Sequence, residues 1–118
     1  MRQATTQFAI ETRGAGLVEF TRDVAAWVSN QRMHDGLLTL FCRHTSASLL
    51  IQENAASEVK RDLADYFARI APEGDGLYLH DDEGPDDMPA HIRAALTAVQ
   101  LSIPLINGSL ALGTWQGI

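Results

Sequence analysis

The feature that most constrains the fold of this chain is a hairpin signal near the end of the sequence. Two apolar runs, residues 101–106 and 109–115, are separated only by Asn107-Gly108. An Asn-Gly pair readily adopts the left-handed backbone of a tight turn, which predicts that the two runs pair as antiparallel strands. The fold is therefore expected to contain an antiparallel sheet.

The remaining elements are read from hydrophobic periodicity and from turn residues. Strands are predicted at residues 6–11, 36–43, 47–52 and 77–79, and helices at 17–30, 55–70 and 89–99. Trp27 lies on the apolar stripe of the first helix and is interpreted as a core-packing residue. Asn54 is the expected N-cap of the second helix. Because strands and helices follow one another without a regular βαβ alternation, we predict an α+β fold, a mainly antiparallel sheet or sandwich with packed helices.

Size and composition indicate one folded domain, residues 1–118. The chain is 46% hydrophobic and 20% charged, which is ordinary for a globular protein. The net charge is −6 and no basic cluster is interleaved with aromatic residues, so nucleic acid is not an expected partner. No apolar run is long enough for a membrane helix, and the single cysteine, Cys42, favours a cytoplasmic location.

The first candidate site is the polar segment that begins at His44. This histidine ends an alternating strand and is expected to continue its buried row, while Thr45, Ser46 and Ser48 add hydroxyl groups. Hydroxyls and free backbone N–H groups are suited to phosphate oxygens, and the helix after Asn54 adds a positive dipole end. A hydroxyl-rich hairpin turn without a ligand is the alternative interpretation.

Two further histidines flank an acidic segment. His80 precedes it and His91 follows it, and residues 73–87 contain seven carboxylates, including Asp86 and Asp87. Because a catalytic metal commonly has three protein ligands, His44, His80 and His91 are a candidate triad for zinc, magnesium or manganese. Separate polar roles for the three histidines are the alternative.

Cys42 is the other residue type that could carry chemistry. It lies two residues before His44 on the strand face that is expected to be buried, and burial in apolar surroundings disfavours a reactive thiolate. We interpret Cys42 as structural. The sequence has no P-loop, dinucleotide fingerprint or G-x-S-x-G motif, and no organic cofactor is expected.

Three motifs together resemble one known family. They are HTSASLLIQENA at residues 44–55, HDDEGPDDMPAHI at 80–92 and SIPLINGSLALGTWQGI at 102–118. With the helices between them, these motifs cover nearly the whole chain. The sequence is similar to the YjbQ-type family, whose members are described as secondary thiamine-phosphate synthases and were long catalogued as uncharacterised.

The resemblance implies an antiparallel α+β fold assembled as a homotrimer. It also implies a weak activity that joins a pyrimidine methyl diphosphate to a thiazole phosphate with release of pyrophosphate. The positions that match the family's polar residues are His44, Thr45, Ser46, Ser48, Asn54, His80, Asp87, His91, Thr114 and Gln116. Of these, His44 and Asp87 are the expected catalytic residues, and Thr45, Ser46, Ser48, Asn54, Thr114 and Gln116 are expected to bind substrate or phosphate.

Two departures from the family pattern affect this expectation. Family members commonly read Asn-Ala-Asp-Pro where this chain has Asn54-Ala55-Ala56-Ser57, so an acidic residue is absent at the third place. The family also usually continues past Trp-Gln-Gly-Ile with a strand that carries Glu-His-Arg, whereas the sequence here stops at Ile118. A basic contribution to an anion site is therefore not visible in it.

Two other functions are also compatible with the sequence. One is metal-dependent hydrolysis of a small phosphorylated metabolite by a metal-bound water and a nearby carboxylate. The other is a non-catalytic trimeric module that binds a metabolite or a metal. Synthesis requires two precursors, hydrolysis requires one substrate, and a binding module shows saturable binding without turnover.

Overall fold

The computed structural model describes residues 1–118. The elements, in chain order, are α1 (Thr21–Asn30), β1 (Gly36–Phe41), β2 (Gln52–Glu53), α2 (Ser57–Ile70), α3 (Asp87–Leu96), β3 (Gln100–Ile106), β4 (Ser109–Leu110) and β5 (Gln116–Gly117). One antiparallel sheet has the order β1-β3-β4, and β2 pairs antiparallel with β5. The predicted α+β fold with antiparallel strands is confirmed.

The predicted hairpin is present, with β3 and β4 joined at Asn107 and Gly108. Both turn residues have positive φ, 51° and 82°, as a two-residue hairpin turn of this kind requires. The backbone N–H of Asn107 also donates to Asp35 Oδ1 at 3.1 Å, which attaches the turn to the segment before β1. The strand after the turn is short, since β4 ends at Leu110 rather than near Trp115.

A small core lies between α1 and the sheet. Val24 and Val28 on α1 pack with Ile103 and Leu105 on β3, and Trp27 packs at the edge of this cluster. The interpretation of Trp27 as a core-packing residue is therefore confirmed. Alternation along β3 buries Ile103 and Leu105 and leaves its other face exposed, so α1 covers one face of the sheet.

The register of β1 on β3 determines where the next segments lie. Phe41, the last residue of β1, pairs with Gln100, the first residue of β3. The chain that leaves β1 and the chain that enters β3 from α3 therefore meet at the same end of the sheet. Two contacts continue this alignment: Cys42 N donates to Val99 O at 2.7 Å, and Leu49 forms a bridge with Ala98.

Residues 6–11 do not form the predicted strand. Phe8 packs against Phe20 and Trp27, but none of the backbone hydrogen bonds involves residues 1–19. A strand requires a neighbouring strand to accept and donate its backbone hydrogen bonds, and the alternating pattern alone cannot supply one. Residues 77–79 form no strand either, and Leu79 is fully exposed.

Four other predicted boundaries or positions are wrong. The strand before His44 ends at Phe41, and His44 is exposed rather than part of a buried row. The second predicted strand, at 47–52, is reduced to the bridge at Leu49 and the two residues of β2. Asn54 does not cap α2, because α2 begins at Ser57 with Ala56 as N-cap residue and the Asn54 side chain donates to Glu19.

Candidate functional site

Helix α3 contributes two candidate site residues from one face. Asp87 is its first residue and His91 is one turn later, an i,i+4 spacing that brings the two side chains together. Asp87 Oδ2 lies 3.1 Å from His91 Nε2. Both side chains are partly shielded, with 20% and 28% of their surface exposed.

The segment before α3 brings in His80 and Glu83. His80 Nε2 lies 2.8 Å from Asp87 Oδ2 and 3.1 Å from Glu83 Oε2. One Asp87 oxygen is thus shared by two imidazoles, whose ring centroids are 5.6 Å apart. Ligand atoms of His80, Glu83, Asp87 and His91 all lie within 4.8 Å of one another, an arrangement that could hold a metal ion.

The carbonyl of Thr45 determines how His91 presents its ring. His91 Nδ1 lies 2.9 Å from Thr45 O, and a carbonyl oxygen only accepts hydrogen bonds, so Nδ1 carries the proton. In the neutral imidazole, Nε2 then has a lone pair that faces the Asp87 carboxylate. Two lone pairs at 3.1 Å repel each other unless a proton or a cation lies between them.

The charges in the cluster affect both partners of the shared hydrogen bond. The pKa of His80 is raised, chiefly by its hydrogen bond to Asp87 and then by that to Glu83. For Asp87, desolvation favours the neutral carboxyl, but hydrogen bonds from its neighbours and the attraction of the two histidines lower the pKa overall. The cluster therefore favours a negative Asp87 beside a positively charged partner.

The segment from His44 to Ser48 adjoins this cluster through Thr45. His44 lies outside the four-residue group, and its Nδ1 accepts the backbone N–H of Ser46 at 2.9 Å. Neutral His44 therefore carries its proton on Nε2. The structure brings together His80 and His91 of the predicted triad and adds Asp87, the predicted catalytic carboxylate.

The predicted phosphate-binding hydroxyls have different surroundings. Ser46 Oγ lies 3.1 Å from His44 Nδ1, and Thr45 is exposed. Ser48 Oγ instead lies 2.5 Å from Thr97 Oγ1 at the end of α3. Ser46 and Thr45 are thus beside His44, whereas Ser48 is engaged with the helix.

The other predicted substrate-binding residues belong to a different part of the molecule. Asn54 Nδ2 donates to Glu19 Oε2 at 3.0 Å, and the pKa of Glu19 is lowered by this bond and by a second one from Thr21. Gln116 Oε1 accepts the backbone N–H of Gly113 at 2.7 Å. Thr114 lies in the same turn, before β5. These contacts stabilise the pairing of β2 with β5 and give no link to the histidine cluster.

Two cavities adjoin the cluster and the polar segment. One, of about 330 Å³, includes His80, Tyr78 and Met88 in its wall. The other, of about 520 Å³, is more open and is lined by Arg43, His44 and other residues around the end of β1. A small ligand therefore has room on both sides of the site.

Sequence reasoning did not single out Glu83 or Thr97. Glu83 is one of seven carboxylates in an acidic segment. Only its position, three residues after His80 and four residues before Asp87, distinguishes it from the others. No sequence pattern distinguishes Thr97, because its contact is with Ser48, which is 49 residues away in the sequence.

A family model described as UPF0047 protein YjbQ-like matches residues 6–118. The chain belongs to this family. A UPF0047 protein from Synechocystis, sll1880, is 50% identical over 117 residues, covering 99% of this chain and 80% of that protein. The UPF0047 protein YjbQ of Escherichia coli O157:H7 is 39% identical, covering 98% of this chain and 83% of its own length.

Solved structures that are similar to this chain agree with its fold. The conserved hypothetical protein TT1486 from Thermus thermophilus matches with a TM-score of 0.78 and 36% identity, over 90% of this chain and 79% of that one. An uncharacterized protein of the same family from Clostridium acetobutylicum matches with a TM-score of 0.77 and 36% identity, over 85% and 74% of the two chains. Among the helices of this UPF0047 family member, none has the length and apolar character needed to cross a bilayer.

The shared Asp87 oxygen generates a testable prediction about His80. Replacing Asp87 with Asn removes the main group that raises the pKa of His80, so this pKa should fall toward its ordinary value of 6.5. Because the pKa of His80 is raised in the folded state, protonation of His80 stabilises the fold at low pH, and this stabilisation is lost as the pH rises through the folded-state pKa. Asp87→Asn should therefore make the free energy of unfolding less dependent on pH in this range. An NMR titration of the imidazole resonances measures the change.

Asp81→Asn is the matched control, because it removes a neighbouring carboxylate that makes no hydrogen bond or ion pair with His80. It should leave the His80 pKa near the wild-type value. An unchanged His80 pKa in Asp87→Asn would show that the shared hydrogen bond does not control this imidazole.

Proposed function

We propose that this protein is a metal-assisted enzyme for a small phosphorylated metabolite, and that its reaction is thiamine-phosphate synthesis. A pyrimidine methyl diphosphate would be joined to a thiazole phosphate, with release of pyrophosphate. The observation that carries the proposal is the convergence of His80, Glu83, Asp87 and His91, whose ligand atoms lie within 4.8 Å of one another. No organic cofactor is needed for this chemistry.

The donor set supports a divalent cation at this cluster. His91 Nε2 and Asp87 Oδ2 face each other at 3.1 Å, and a cation between them would replace lone-pair repulsion with two favourable contacts. Mixed imidazole and carboxylate donors suit zinc or manganese better than magnesium, which prefers oxygen ligands. The Thr45 carbonyl on His91 Nδ1 is the outer contact that such a ligand commonly makes.

The reaction requires charge stabilisation more than covalent help from the protein. The thiazole nitrogen attacks the methylene carbon, the bond from that carbon to the diphosphate oxygen breaks, and pyrophosphate leaves with the electron pair. A bound cation would neutralise the diphosphate charge. His44 has its Nε2–H free to donate to the departing group, since Nδ1 accepts from Ser46. Thr45 and Ser46 would hold phosphate oxygens beside it.

Hydrolysis of a phosphorylated metabolite is a second candidate, supported by the exposure of the cluster. The side chains of His80 and Glu83 are 45% and 62% exposed, so water reaches this side of the site. A water activated by the cation and a carboxylate would attack phosphorus and break the ester P–O bond. One substrate would then give free phosphate.

Metal binding tests the cluster directly. Titration of the protein with zinc and manganese, followed by calorimetry and metal analysis, should give one ion per chain. His80→Ala and His91→Ala each remove a ligand and should weaken metal affinity by more than the roughly 10–100-fold that loss of an outer contact to a ligand typically costs. His44→Ala should retain the ion, because His44 lies outside the group of converging atoms.

His34→Ala is the control for loss of a histidine, since His34 is exposed and pairs only with Asp35. Its metal affinity should equal that of wild type. Undiminished affinity in His91→Ala, or absence of binding to wild type, would refute the metal site.

Turnover separates the candidate reactions. With both precursors present, wild type should release pyrophosphate and form the joined product, whereas hydrolysis would release phosphate from one precursor alone. His44→Ala should lower kcat by about 100-fold or more while the fold and metal content persist, because a donor to the leaving group is lost. Product analysis by chromatography and mass spectrometry, with His34→Ala as control, distinguishes these results.

We also propose that the protein acts as a homotrimer in the cytoplasm. The face of β1 and β3 opposite α1 is open, with Leu37 and Phe41 exposed by 67% and 66%. The radius of gyration, 16.4 Å, exceeds the roughly 13.5 Å of a compact chain of this length. Phe41 also lines the cavity beside His44, so a second copy on this face would adjoin the site.

Light scattering tests this assembly. Wild type should have three times the chain mass of 12.9 kDa, and Leu37→Asp with Phe41→Asp should shift the protein to the monomer, because each places a charge in an apolar interface. Thr39→Asp, which places a charge on the same face, should also weaken the assembly. A wild-type mass of one chain would rule out the trimer.

A further inference from the structure

A pair of hydroxyl groups connects the His44 segment to the end of α3. Ser48 Oγ lies 2.5 Å from Thr97 Oγ1, and Thr97 Oγ1 donates to the carbonyl of Arg93 at 2.9 Å. A threonine hydroxyl has only one proton, so the proton between the two hydroxyls comes from Ser48. Ser48 is therefore a donor to Thr97, and its proton is not available to a phosphate oxygen.

The backbone reinforces this connection next to the hydroxyl pair. Leu49 N donates to Ala98 O at 2.5 Å, and Ala98 N donates to Leu49 O at 3.2 Å. These two bonds hold residues 48–49 against residues 97–98. The segment thus has a fixed attachment where α3 ends.

The same segment reaches α3 a second time, through Thr45. Its carbonyl accepts from His91 Nδ1 at 2.9 Å, at a helix position six residues before Thr97. Six residues correspond to roughly 9 Å along a helix axis, which is close to the maximum reach, about 10 Å, of the three residues that follow Thr45. The attachment at Ser48 therefore limits where the Thr45 carbonyl can lie relative to His91.

We propose that Ser48 and Thr97 are positioning residues that hold the Thr45 carbonyl on His91 Nδ1 and so keep the Nε2 lone pair directed into the cluster. This reassigns Ser48 from phosphate binding to positioning. The consequence for metal affinity rests on the proposed function, whereas the consequence for the imidazole does not.

The competing state of His91 follows from its other neighbour. If the carbonyl moves away, Nδ1 loses its acceptor, and the proton is better placed on Nε2, where Asp87 Oδ2 at 3.1 Å accepts it. That tautomer has no lone pair facing the cluster. The position of the Thr45 carbonyl therefore selects which nitrogen is free to bind or to accept a proton.

Nitrogen NMR of the imidazoles distinguishes the two tautomers in the metal-free protein. At a pH well above the ordinary histidine range, wild-type His91 should be the Nδ1–H form. Ser48→Ala and Thr97→Val should each raise the fraction of the Nε2–H form severalfold, since each removes the hydroxyl pair at little change in volume. Ser48→Thr and Thr97→Ser keep a hydroxyl and should restore the wild-type signal.

Ser29→Ala and Thr6→Val are the matched controls, because both residues are exposed and lie outside the His44 segment, α3 and the proposed trimer interface. They should leave His91 in its wild-type form. A wild-type tautomer in both Ser48→Ala and Thr97→Val would overturn the proposal.

Metal titration separates this inference from the proposed function. Ser48→Ala and Thr97→Val should weaken metal binding by about 10–100-fold, as loss of an outer contact to a ligand does. A tautomer shift without any metal binding to wild type would support the positioning role and refute the metal centre. Normal metal binding in both variants, with an unchanged tautomer, would refute the positioning role and support the metal centre.

Discussion

The pairing of β1 with β3 is the constraint on which the rest of the structure depends. Its register places Phe41 opposite Gln100, so the chain leaves β1 and enters β3 at the same end of the sheet. The polar segment that follows β1 and the helix that precedes β3 are thereby brought side by side. The Thr45–His91 contact follows from this alignment, although the two residues are 46 positions apart.

The chemistry at this end of the sheet comes from groups that constrain one another. Asp87 offers one oxygen to two imidazoles, and His91 is oriented by a carbonyl from the neighbouring segment. Each hydrogen bond restricts the geometry of the next, so the side-chain nitrogen and oxygen atoms of the cluster are held within 4.8 Å of one another. The proposed role of Ser48 and Thr97 follows from this mutual constraint, because both lie outside the cluster but attach the segment whose carbonyl orients His91.

The buried core is small for a chain of this size. Only 9 of 118 residues are buried, and the apolar residues at the centre of the sheet are covered by α1 on one face alone. Such a chain leaves much of its apolar surface in water, which costs free energy that a further packing surface can recover. The exposed face extends to Phe41, which also lines the cavity beside His44, so the proposed trimer interface and the candidate site share a boundary.

Features that depend on residues close together in the sequence could be predicted from the sequence. The Asn107-Gly108 turn was predictable because both residues tolerate positive φ, and Trp27 was placed in the core by helical spacing. The family was also recognisable from its motifs. Asn54 failed as a predicted cap because Glu19, distant in sequence, offered its side chain a hydrogen bond.

Tertiary structure decided which of the polar residues share a site. The spacing of His44, His80 and His91 could not show that only the latter two converge, or that Glu83 and Asp87 join them. Residues 6–11 have the alternation of a strand but no backbone partner, because a strand exists only as part of a pair. The sequence by itself thus determined the hairpin, the helices and the residue types of the site, whereas the selection of partners depended on contacts between segments far apart in the chain.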